Sequence, residues 1–179
     1  MKTRIQGGPI VRTILAAVVL CAPVFAKEAA RELPYAAGNP NGGLPLWNPG
    51  DKFVAVSGGS CSGSCPVYDL YVFSDGRVTF VGRDQTARKG IMTKTIDPSI
   101  YTSLLTLIVR TDVLDKKIKR GSCLSGRPML SVMRSTPDGQ RMRIRDMNSG
   151  CAGYADIAKD IETRFIEDTE ITNWLVPRR

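Results

Sequence analysis

The chain has 179 residues, 42% of them hydrophobic and 23% charged, with a formal net charge of +8 and no histidine. The absence of histidine excludes Ser-His-Asp and Cys-His catalysis and any His-dependent metal site. The positive charge is moderate and dispersed, so no nucleic-acid partner is expected.

The first 26 residues have the pattern of a secretory signal peptide. Lys2, Arg4 and Arg12 precede or flank a short apolar run at 13–20, and residues 24–26 offer a cleavage site after Ala26. The run is shorter than the roughly 20 residues that a membrane span needs. We therefore expect an exported protein, periplasmic or extracellular, with no transmembrane span in its mature form.

Cleavage would leave 22 Lys+Arg against 17 Asp+Glu, a net charge of +5, because the removed segment holds three basic residues and no acid. Lipid anchoring at Cys21 is not expected, since a lipobox needs a small residue before its cysteine and Leu20 is not small.

The mature chain is expected to hold one domain. Residues 27–50 are rich in Pro, Gly and Asn, which predicts an extended N-terminal arm. Trp47 is the exception in this arm and is expected to pack onto the domain edge. Residues 51–176 form the single domain, a length that suffices for a sizeable core, and residues 177–179 are expected to fray.

The run 53–57 predicts a first strand, and a hairpin follows it with Asp75-Gly76 at its turn. Asp-Gly is typical of a two-residue type I′ turn, which pairs Phe73 with Val78. Both faces of this hairpin are apolar, so it should lie in mid-sheet or be covered on both sides.

Residues 90–96 predict another strand. Asp97-Pro98 then marks the start of a helix that ends near residues 110–112. A second amphipathic helix begins near Tyr154 and ends near Asp168, and Trp174-Leu175 is expected to return to the core.

A second hairpin is predicted around Pro137-Asp138-Gly139 as a three-residue loop. Its core face is then expected to hold Leu130, Val132, Met142 and Ile144. The other face is expected to hold Met133, Met147, Arg141, Arg143 and Arg145. The arginine row and the basic segment 116–120 are most often solvated surfaces, yet they are the best candidates for anion binding.

The order of strands, helix, hairpin and helix predicts an α+β fold. We expect an antiparallel sheet of about five or six strands, built from two hairpins, with two helices packed on one face.

Four cysteines remain after cleavage: Cys61, Cys65, Cys123 and Cys151. An even number in an exported chain indicates two disulfides. The second hairpin would bring Cys123 near Cys151, which leaves Cys61 for Cys65. A crossed pairing that links the first loop to the second hairpin is the alternative.

Chemistry at these cysteines is weakly supported. Redox dithiols usually have two residues between the cysteines and lie at a helix start. Cys61 and Cys65 have three residues between them and precede a strand. No catalytic residue, metal ligand set or cofactor site is predicted. Asp69, an acid within a strand, is expected to pair with an arginine as a structural salt bridge.

One stretch resembles a known family. Cys61, Gly63, Cys65, Pro66 and Tyr68 are followed by the turn residues Asp75 and Gly76 and by Gly82. This pattern is similar to that of a bacterial exported family of domains of unknown function, family number 6438. The resemblance implies no established activity, and it favours a self-contained Cys61–Cys65 bridge.

The sequence therefore favours a disulfide-stabilised, exported binding or structural module of the cell envelope. Its partner would be an anionic envelope component or another envelope protein. The alternative is a thiol–disulfide redox protein that uses Cys61 and Cys65.

Overall fold

The computed structural model describes residues 31–34, 46–59, 61–115, 126–148, 150–151 and 153–175. The predicted signal peptide, the basic segment 116–120, Cys123 and the tail 177–179 lie outside these ranges. The described elements are β1 (Arg31–Pro34), β2 (Phe53–Gly58), β3 (Val67–Phe73), β4 (Arg77–Asp84), β5 (Gly90–Thr95), α1 (Ser99–Arg110), β6 (Met129–Ser135), β7 (Arg141–Asn148), α2 (Ala155–Asp168) and α3 (Thr172–Leu175).

These strands form one antiparallel sheet in the order β1-β7-β6-β2-β3-β4-β5. The two hairpins, β3–β4 and β6–β7, are joined through β2, which pairs with β3 on one side and β6 on the other. The predicted α+β class is confirmed. The sheet has seven strands, more than the five or six predicted, because β1 lies within the predicted arm and pairs with β7.

Each face of the sheet buries its own apolar cluster, because successive side chains of a strand point to opposite faces. On one face, strand residues such as Leu70 pack with Ile108 of α1 and Ile161 of α2. On the other face, Trp47 is 1% exposed and packs on Phe53, with ring centroids 5.1 Å apart. Trp47 thus packs onto the domain as predicted, and β3 lies in the sheet interior with both faces covered.

The register of the first hairpin differs from the prediction by one residue. The structure pairs Val72 with Val78, not Phe73 with Val78. The loop contains Ser74, Asp75 and Gly76, and the Gly76 N–H donates to the Phe73 carbonyl at 3.0 Å. Only Gly76 has a positive φ, +84°, whereas a type I′ turn needs positive φ at both central residues. The prediction of a two-residue turn is therefore wrong, because the loop has three residues.

The second hairpin also has one loop residue more than predicted. Thr136 and Arg141 close a loop of four residues, 137–140, with Gly139 at φ +67°. Ile144 consequently pairs with Met133, and Met142 with Ser135. The expected core face was wrong, because Met142 and Ile144 lie on the face opposite Leu130 and Val132.

The helices follow the predicted boundaries closely. Helix α1 begins at Ser99, and the Asp97 carboxylate accepts the Ser99 N–H at 2.8 Å. Hydrogen bonds from Ser99 lower the pKa of Asp97. At the other end of the chain, the Trp174 ring contacts Phe80 with centroids 5.7 Å apart, so the predicted return of the tail to the core is confirmed.

Replacement of Gly76 tests the turn that sets the first register. Gly76→Ala should lower the free energy of unfolding by about 2 kcal/mol, because φ is positive and the new Cβ would lie 2.4 Å from the Ile96 carbonyl oxygen. Ser74→Ala in the same loop should change it by less than about 0.5 kcal/mol, since Ser74 is exposed. Urea unfolding measures both, and equal losses would contradict the assignment.

Candidate functional site

The disulfide loop, residues 61–65, forms a short exposed cap at one end of the sheet. Cys61 and Cys65 are bonded, with their Cα atoms 5.7 Å apart, which confirms the predicted bridge and excludes the crossed pairing. The backbone holds the loop in place, since the Gly59 N–H donates to Met129 and the Ser62 N–H to Gly126. Cys151 is also disulfide-bonded; its predicted partner, Cys123, lies outside the described residues.

Tyr68 connects this end of the sheet to helix α2. Its ring covers Gly58 of β2, where a Cβ would come within 2.4 Å of the ring, and it stacks on Phe80 with centroids 5.8 Å apart. The Tyr68 hydroxyl donates to Glu162 at 2.7 Å. Burial and the charge of Glu162 raise the pKa of Tyr68 well above its usual value, so the hydroxyl remains a donor.

The other motif residues have local structural roles. Pro66 directly precedes β3. The Asp75 carboxylate accepts the Arg77 N–H at 2.9 Å and so supports the turn that Gly76 permits. Gly63 is exposed at the loop tip, and a Cβ there would meet nothing closer than the Cys61 sulfur at 3.9 Å. Asp75 and Gly76 thus maintain the turn, whereas these contacts assign no structural role to Gly63.

Asp69 forms the salt bridge expected of it. Its side chain is 0% exposed, and it accepts hydrogen bonds from Arg83 Nη2 at 2.6 Å and from the Ser57 hydroxyl at 2.5 Å. Arg83 is 28% exposed, so the pair lies at the boundary between core and solvent. Sequence reasoning expected an arginine without identifying it, because the partner depends on the β3–β4 register.

The three predicted anion-binding arginines do not form one exposed row. The shifted register of β7 places Arg143 and Arg145 on the helix-covered face, beside Arg134 and Val132 of β6. Arg141 is exposed at the start of β7, whereas Arg145 is only 6% exposed. The arginines that come together are therefore Arg134, Arg143 and Arg145, which we call the arginine cluster.

The three arginines of the cluster differ in their hydrogen-bond partners and in their burial. Arg143 donates from both terminal nitrogens to the two carboxylate oxygens of Asp115, from Nη1 at 3.1 Å. Arg145 donates to the Tyr154 hydroxyl at 3.0 Å, and its Nη1 is buried without a hydrogen-bond partner within the described ranges. The Arg134 side chain is half-buried and lines a cavity of about 70 Å³ with Asp112 and Asp115.

All three arginines lower the pKa of Asp115. The hydrogen bonds from Arg143 are the largest cause and lower the pKa of Asp115; burial opposes them, and the charges of Arg143, Arg134 and Arg145 lower the pKa by smaller amounts. Arg143 therefore holds Asp115 directly, Arg134 lines the same cavity, and the buried Arg145 contributes only its charge. Fixed donors of this kind suit a carboxylate or phosphate, which accepts two parallel hydrogen bonds from one arginine.

The chain matches the family model described as a domain of unknown function, DUF6438, over residues 52–166, more than half of its 179 residues. It belongs to this family. The matched range includes the disulfide loop, the Asp69–Arg83 pair and the arginine cluster of this DUF6438 domain. No curated protein matches the chain.

Other chemistry finds less support in this DUF6438 domain. In the described ranges, no group of three or more His, Cys, Asp or Glu side chains could hold a metal ion.

Sequence reasoning missed Arg134 and Asp115, which lie apart from the arginine row along the chain. A correct β6–β7 register would have placed Arg134 beside Arg143, but the contact with Asp115 depends on how the segment after α1 folds back.

Removal of the Asp69 carboxylate tests the buried pair. Asp69→Ala should lower the free energy of unfolding by about 3 kcal/mol, because Arg83 and Ser57 lose a buried acceptor. The matched control, Asp84→Ala, removes an exposed pair with Lys89 at 3.6 Å and should cost less than about 1 kcal/mol. Similar shifts of the urea midpoint in the two variants would contradict a structural role for Asp69.

Proposed function

We propose that this protein is an exported, non-catalytic binding module of the cell envelope that holds an anionic envelope component at the arginine cluster. The observation that carries the proposal is the two-point contact of Arg143 with the exposed Asp115 carboxylate, beside Arg134, which lines the same cavity. Guanidinium groups held by a rigid sheet suit recognition of anions, because little side-chain entropy is lost on binding.

Export is supported by the signal-peptide pattern of residues 1–26 and by the Cys61–Cys65 disulfide, since disulfides persist in oxidising compartments. Within the described part of the chain, no helix has the length and apolar character needed to cross a membrane.

Three acids of the described chain are poorly suited to general-acid catalysis. A general acid at neutral pH needs a raised pKa. Hydrogen bonds instead lower the pKa of Asp97, Asp115 and Asp138. Their partners are Ser99, Arg143 and Thr136 respectively, so each of these acids is held as a carboxylate.

Binding should depend on the cluster and not on total charge. Arg134→Gln/Arg143→Gln should reduce retention on isolated cell envelopes, and on phosphatidylglycerol vesicles, about 10-fold, because charge-assisted hydrogen bonds are lost. The control Arg88→Gln/Lys89→Gln removes the same charge at the exposed β4–β5 turn and should retain binding. Co-sedimentation at low salt measures the retention of both double variants. Equal losses of retention would contradict a specific role for the cluster and indicate non-specific charge attraction.

The second candidate is a thiol–disulfide redox protein, which the exposure of residues 62–64 favours. Against it, Cys65 leads into strand β3, so no helix dipole lowers a thiol pKa. The two functions differ in what the bridge does.

The disulfide should behave as a structural link. Cys61→Ser/Cys65→Ser should lower the free energy of unfolding by about 2 kcal/mol, the entropy of closing a short loop, and should leave envelope retention intact. Mass spectrometry after mild reductant should find the bridge intact in the wild-type protein. Ready reduction, with turnover of oxidised glutathione, would instead support the redox function.

A further inference from the structure

Asp115 occupies the arginine cluster as an anionic ligand would. Both of its carboxylate oxygens accept hydrogen bonds from the Arg143 fork, which is the two-point arrangement that arginine makes with carboxylates and phosphates. The Arg134 and Arg145 charges act on the same carboxylate. The chain thus supplies its own acid to the Arg143 fork.

The Asp115–Arg143 contact is placed where a ligand could exchange with it. The Asp115 side chain is 58% exposed, whereas that of Arg143 is only 19% exposed. The donor is therefore held by the sheet, and the acceptor lies on the solvent side. A competing anion can therefore approach the Asp115 side of the pair from solvent.

The backbone around Asp115 is a turn beyond the end of helix α1. Asp112 has a φ of +52°, and its carbonyl accepts the Asp115 N–H at 3.0 Å. Asp115 is followed in the sequence by four basic residues among residues 116–120. Among the described residues, Asp112 and Asp115 are the acids that line the adjacent cavity.

We propose that the arginine cluster binds an anion that presents two oxygens to Arg143, either a carboxylate or a phosphate. This anion displaces Asp115 from Arg143. This inference rests on the proposed function and identifies the chemical class of its ligand. Asp115 is then an internal competitor for the Arg143 fork. A phosphate carries more negative charge than a carboxylate, so it gains more from Arg134 and Arg145.

The test uses the full chain and two small probes, inorganic phosphate and acetate, titrated by isothermal calorimetry at low salt. Asp115→Asn should bind the better probe about 5-fold more tightly than the wild-type protein, because the amide competes more weakly for Arg143. Arg143→Gln should weaken binding about 10-fold, and Arg143→Lys should rescue it only in part, because lysine lacks the planar fork.

The control is Asp84→Asn, which removes the same charge from an exposed pair with Lys89. It should leave the affinity unchanged, and an equal gain from Asp84→Asn would overturn the competitor role. If Arg143→Gln has no effect, the proposed function fails. If Arg143→Gln weakens binding but Asp115→Asn does not strengthen it, the function stands and the displacement is wrong. Tighter binding of phosphate or of acetate identifies which of the two anions the site prefers.

Discussion

Tyr68 is the contact on which the two layers of this domain depend. Its ring fills the space above Gly58, stacks on Phe80 and reaches Glu162 of helix α2. One side chain thus connects two neighbouring strands to a helix far along the chain. The disulfide loop directly before it shortens the path between β2 and β3, so Tyr68 enters the sheet at a defined position. The position of Tyr68 shortly after the loop is explained by this packing.

The sequence was sufficient for most of the elements and for the class of the fold, because apolar periodicity and turn residues are local signals. It also identified Asp69 as an acid that needs an arginine. It was insufficient for both hairpin registers. An Asp-Gly pair permits a two-residue turn and also a three-residue loop with glycine at the left-handed position, and only the pairing of the strands selects between them. The strand in the arm was missed because four residues carry too little pattern.

A shift of one residue in β7 changed the interpretation of the site more than that of the fold. The alternation of arginines with Met142 and Ile144 allows either face to be the apolar one. In the structure, Met142 and Ile144 pack with Trp47, and the arginines lie on the helix side, next to Arg134. A row that looks like a solvated surface in the sequence is therefore a partly buried cluster. Burial matters here, because charges away from water act more strongly on one another.

The same arrangement explains how a basic cluster persists in a stable domain. Three guanidinium groups on adjacent strands repel one another, and their partial burial makes solvation less effective in screening them. Tyr154 offers an acceptor to Arg145, and Asp115 offers a carboxylate to Arg143. These contacts differ in exposure: Tyr154 is 4% exposed, while the Asp115 side chain is 58% exposed. Arg145 is thus fixed as part of the core, and the Arg143–Asp115 pair is the part of the cluster that can respond to an anion from solvent.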